Sequence, residues 1–144
     1  MDKTIPLGQK YLDRLQNIED PAAIVVTTHL FCEHALNRLL EERKKTPGKF
    51  IKDNSSFVVK LDFCYNMGFI SQKVFENLIK LNKLRNDCAH SVDVDYSIID
   101  HNYHLVAEQF NIENETNIKQ KLINIAVNTY FALNNEVINI GVKL

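Results

Sequence analysis

Arg85, Asn86 and His90 fall within six consecutive positions of the segment Leu84-Arg85-Asn86-Asp87-Cys88-Ala89-His90-Ser91. A guanidinium is a permanent cation whose planar fork matches two phosphate oxygens. A carboxamide both donates and accepts hydrogen bonds. An imidazole gains and loses a proton near neutral pH. Together these groups can hold a phosphodiester and move a proton on it. Elsewhere in the chain the polar residues of helical segments read as solvated faces, so this octapeptide is the place where chemistry outweighs packing.

The spacing sets a geometric condition. Asn86 and His90 are four apart and share a helix face. Arg85 and His90 are five apart, so about 140° separates them at about 100° per residue. They converge only if the helix unwinds or bends near Cys88 to His90, or if two chains bring their segments together. Arg85 also stands on the apolar line of its own helix, among Val74, Phe75, Leu78, Leu81 and Cys88. A charge on such a line needs a partner or a wet cleft.

The elements that carry these residues read as helices almost throughout. The chain has 4 Gly and 3 Pro in 144 residues, and strict apolar/polar alternation is scarce. A first helix is predicted from Leu7 to Ile18. Asp20-Pro21 reads as an N-cap followed by proline at the first helical position. The second helix then runs to about Lys45, with Val25, Thr28, Cys32, Ala35, Leu36 and Leu39 as its inner face, and Thr46-Pro47-Gly48 ends it. The polar stretch Asp53-Asn54-Ser55-Ser56 supplies the next cap. Phe57, Val58, Leu61, Cys64 and Tyr65 form the inner face of a third helix, which Gly68 closes in a left-handed cap. Ser71 caps a fourth helix from about Gln72 to His90. Ser91 to Asp100 reads as a turn leading into a short helix near Tyr96. The last helix spans about Asn114 to Ile140, with an apolar stripe of Ile118, Leu122, Ile125, Thr129, Leu133, Val137 and Ile140. The expected fold is all-α: one domain over residues 1–144, an antiparallel bundle of five to six helices.

Composition narrows the partners. Hydrophobic residues make up 45% and charged residues 24%, and the net charge is -1. A coat of nonspecific nucleic-acid contacts needs a basic surplus that this chain lacks, so any such contact is a local groove. Arg43-Lys44-Lys45 follows Glu41-Glu42 and reads as a solvated helix end. There is no basic recognition helix for sequence-specific DNA reading. No apolar stretch reaches the length of a membrane span, and Met1-Asp2-Lys3-Thr4 does not begin a secretory signal. Cytoplasmic residence is the default expectation. Cys32, Cys64 and Cys88 are odd in number, widely spaced and set in apolar patterns, which suits reduced buried thiols.

The segment around Arg85 resembles the R-x4-6-H motif of the HEPN superfamily. The resemblance extends upstream: Phe57 to Ile70, with its Gly68-Phe69-Ile70 turn, and Leu78 to Arg85 are similar to the mannitol operon repressor family. Ile24 to Leu40 is similar to that family's long second helix, with Glu33 at an acidic position. The likeness spans roughly residues 20–100. It implies a metal-independent endoribonuclease of toxin or defence type, working without a cofactor as a homodimer in whose cleft two motifs meet. His90 would be the proton-transfer group, Arg85 would hold the scissile phosphate, Asn86 would orient His90 or the phosphate, and Glu33 would pair with Arg85. The products would carry 2′,3′-cyclic phosphate ends. The same resemblance implies a second possibility, a non-catalytic regulatory or protein-interaction module. A protein partner such as an antitoxin fits either.

Other groupings read more simply. Arg and His at a helix end also satisfy terminal carbonyls and the helix dipole. His29, Glu33 and His34, with His101 and His104, match no zinc spacing and read as surface or interface histidines. Cys88 and His90 point in different directions and do not form a nucleophile and base.

Overall fold

The computed structural model describes residues 5–44, 55–94, 96 and 118–144. Among them the chain forms five α-helices and no strand: α1 (Leu7–Leu15), α2 (Pro21–Arg43), α3 (Phe57–Asn66), α4 (Gln72–His90) and α5 (Ile118–Asn139). It is an all-helical bundle. The expected stop at Thr46-Pro47-Gly48, the first half of the Asp53 to Ser56 loop, most of the expected short helix near Tyr96, the start of the last helix at Asn114, and His101 and His104 lie outside the described residues.

Local chemistry sets most helix ends. The Asp20 carboxylate accepts from the Ala22 N–H, with Pro21 opening α2. Ser56 accepts from Val59 and Ser71 from Val74, so each satisfies one orphan donor of α3 or α4. Gly68 has φ 76°, and the Gly68 and Phe69 N–H groups donate to the Tyr65 and Cys64 carbonyls, a left-handed closure of α3. Gly141, at φ 93°, closes α5 in the same way with Val142. The first helix stops at Leu15, one turn short of the expected Ile18.

α2 is the central element and packs against all four other helices. Its expected inner face is buried throughout. Antiparallel packing relates α2 to α1, through Tyr11 on Thr28 and Phe31, and to α4, where Asn82 meets His29. α5 follows a long connection and runs alongside α2 in the same direction. Lys119 pairs with Glu19 at one end, and Arg43 donates to the Ile140 carbonyl at the other. α4 is pinned to α5 at its start, where the Glu136 carboxylate accepts from both the Ser71 backbone N–H and the Ser71 hydroxyl at 2.7 and 2.6 Å. That fixes α4, and with it the Arg85 segment at its far end. No helix among the described residues is long and apolar enough to cross a membrane.

Candidate functional site

α4 runs as unbroken α-helix through His90, and Ser91 N–H still donates to the Asp87 carbonyl at 2.9 Å. The helix end does not bend. Arg85 and His90 therefore keep their separation of about 140°, and one chain does not bring them together. His90 is exposed. Arg85 is half-buried, and its Nη1 donates to Asn86 Oδ1 at 3.3 Å. Among the described residues its guanidinium has no carboxylate partner.

The expected Glu33–Arg85 pair is replaced by another. Glu33 accepts from Lys60 Nζ at 3.3 Å. The physical reason is burial: the Lys60 side chain is only 6% exposed, on the inner face of α3 between Phe57, Leu61 and Cys64. An ammonium at that depth needs a counter-charge, and Glu33 on α2 supplies it. Arg85, nearer the rim, keeps enough contact with water to do without one.

His29 is not a surface histidine. It is 6% exposed, its ring packs on Phe57 with centroids 4.1 Å apart, and its Nε2 lies 2.9 Å from Asn82 Oδ1. An amide oxygen only accepts, so Nε2 carries the proton and donates. Burial lowers the His29 pKa, opposed by the hydrogen bond to Asn82; Arg85 lowers it further and Glu33 raises it. The lowered pKa favours the neutral ring, the form that donates from Nε2 to Asn82, and both Arg85 and Glu33 lie within its electrostatic reach. His34, by contrast, is exposed as expected.

The site thus comprises His29 and Glu33 from α2, Lys60 from α3, and Asn82, Arg85 and Asn86 from α4. The sequence singled out Glu33, Arg85 and Asn86. It missed His29, Lys60 and Asn82, although two of them carried a signal. Lys60 stands at helical spacing among Phe57, Leu61 and Cys64, the same anomaly that drew attention to Arg85. His29 falls three before Cys32 and seven before Leu36, on the edge of the buried face. Asn82 carried none, because its partner is 53 residues away.

Cys88, three residues after Arg85, is a free and only partly buried thiol. Burial pushes its thiol up, against a smaller lowering by its hydrogen bond to Tyr96. Among the described residues no three His, Cys, Asp or Glu side chains converge as metal ligands. Two apolar residues on α2 flank the site in the open: Val26 and Leu30, 43% and 51% exposed. Ile79 is exposed on α4, on the side that carries Asn86 and His90. No protein-family model, curated protein or solved structure matches the chain.

Proposed function

We propose that this domain is a HEPN-type, metal-independent endoribonuclease that completes its active site by pairing with a second copy. The observation that carries the reading is Arg85: a half-buried guanidinium held by Asn86, with no carboxylate partner among the described residues. A structural arginine in that position would be neutralised by Glu33, and Glu33 is committed to Lys60. His90 is exposed rather than sealed by apolar neighbours, which suits a group that exchanges protons with a substrate.

Two chains answer the geometric condition that one chain leaves unmet. Arg85 of one copy holds the non-bridging oxygens of the scissile phosphate and stabilises the charge that develops there. One His90 takes the proton from the ribose 2′-hydroxyl as that oxygen attacks phosphorus. The bond from phosphorus to the 5′-oxygen breaks, and the His90 of the second copy protonates the leaving oxygen. The products are a 2′,3′-cyclic phosphate and a 5′-hydroxyl. Val26, Leu30 and Ile79 are apolar surface available to such a pairing.

The test is incubation of the purified protein with single-stranded RNA in EDTA. Cleavage to cyclic phosphate ends, abolished by His90→Ala, is expected. Cleavage that survives this substitution would overturn the assignment. The same apolar flank favours one second reading, a regulatory module that docks a partner protein there; intact RNA after incubation with a protein shown to be dimeric would support it.

A further inference from the structure

Asn82, Arg85 and Asn86 stand at positions i, i+3 and i+4 of α4, so their side chains are neighbours on one helix edge. Both carboxamides are polarised the same way. Asn82 turns its oxygen to His29, and Asn86 turns its oxygen to Arg85. An amide whose carbonyl is used toward the protein keeps its NH2 group for another acceptor. The edge therefore offers two amide NH2 groups beside a guanidinium, all donors. Glu33, the carboxylate on the facing helix that lies within electrostatic reach of His29, is occupied by Lys60. His29 cannot swing away, because Phe57 covers its ring and the helix packing buries it.

We infer that Asn82 is a phosphate-binding residue, donating from Nδ2 to a non-bridging oxygen of an RNA backbone held by Arg85 and Asn86, and that His29 is the positioning residue that fixes the Asn82 amide in that orientation. The inference rests on the phosphodiester reading of Arg85. Without His29, the Asn82 amide is free to rotate and present its oxygen, which repels an anion. With it, the donor orientation is set before the ligand arrives, and less ordering is left to binding.

The probe is a 2′-O-methyl RNA hexanucleotide, which binds but lacks the nucleophilic hydroxyl. It is titrated into the full 15N-labelled chain while the side-chain NH2 resonances of Asn82 and Asn86 are followed. Both pairs of resonances are expected to shift together. Asn82→Leu should weaken binding roughly ten-fold, the loss of a hydrogen bond to a charged group. His29→Phe keeps a ring against Phe57 but has no donor, and should weaken binding about three-fold to ten-fold with the helical spectrum unchanged. His29→Gln, which returns an N–H at similar reach, should recover most of that loss. Binding that depends on Arg85 while His29→Phe and Asn82→Leu bind like the parent would overturn this inference and leave the nuclease reading standing. Binding that shows the expected pattern in a protein that leaves unmodified RNA intact would uphold the subsite and remove the nuclease reading. No binding at all, in a chain shown to be folded, would overturn both.

Discussion

Thr28 and His29 are adjacent in α2, both polar and both buried, and they serve different neighbours in the bundle. Thr28 faces α1. Its hydroxyl donates to the Ile24 carbonyl at 2.7 Å and accepts from Tyr11 at 2.8 Å. That chain of bonds ends there, roofed by Phe31, Tyr130 and Phe131 around the Tyr11 ring. His29 faces α3 and α4. Its bond to Asn82 passes polarity outward to an edge where Arg85 and Asn86 meet solvent. The first network is closed and belongs to stability. The second is open at one end, and an open network inside a folded domain is a place where a ligand can supply the missing partner.

The sharpest way to break that contrast is to cut the closed side. Tyr11 is fully buried, so Tyr11→Ala leaves a large cavity and takes one of its two hydrogen bonds from the buried Thr28 hydroxyl, which keeps its bond to Ile24. Urea denaturation should show a loss of about 3–5 kcal/mol. Whatever RNA cleavage the folded fraction retains should be unchanged per molecule. A loss of turnover in the folded fraction, beyond the loss of stability, would show that the two sides are coupled through α2.

Next in size is the open side. Arg85→Ala should lower the RNA cleavage rate about 10²–10³-fold, equivalent to about 2.7–4 kcal/mol of transition-state stabilisation. Its unfolding free energy should change by no more than about 0.5 kcal/mol, as for a change that breaks no buried pair. A large loss of stability in this variant would mean that Arg85 belongs to the core after all.

What the sequence made legible and what it hid divide along the same line. Helix ends were legible because caps are local. Asp20-Pro21, Ser71 and Gly68 act on backbone groups within five residues, and the structure places each where its chemistry requires. The buried face of α2 was legible because periodicity records it directly. The hydrogen-bond partners were not, since Glu33 finds Lys60 across 27 residues and His29 finds Asn82 across 53. The choice of Lys60 over Arg85 for Glu33 was a matter of relative burial, which no single-residue pattern encodes. The direction of α5 along α2 was equally hidden, because it follows from a long connection rather than from a tight turn.

The Glu33–Lys60 pair lies between the two regimes, and it gives the third prediction. Glu33→Gln leaves the buried Lys60 ammonium without its carboxylate and should destabilise the fold by about 1–3 kcal/mol, less than a fully enclosed pair because Glu33 keeps contact with water. Lys60→Met removes the buried charge itself and should be near neutral or slightly stabilising. If instead both changes leave stability alone and both lower RNA affinity, the pair belongs to the open network, and the boundary between the two sides moves to α3.

The smallest effect separates Thr28 from His29 by pH, because only one of them titrates. In the unfolded chain an imidazole takes up a proton near pH 6.5. In the folded chain burial lowers that value, the Asn82 hydrogen bond and Glu33 opposing only in part. Between the lowered value and 6.5 the unfolded chain binds a proton that the folded chain does not. The neutral ring's contribution is therefore fully present above about pH 6.5, falls as the pH drops through this window, and is gone below the folded value, where both states are protonated. Other groups add their own pH dependence, so the informative quantity is the difference between the parent and His29→Phe. From about pH 7.5 down to about pH 5, the parent should lose more stability in urea denaturation than the variant does. Parallel curves would mean that His29 takes its proton as easily inside the bundle as outside. The ring would then be in contact with water, and the Asn82 amide would lose the fixed donor on which its orientation depends.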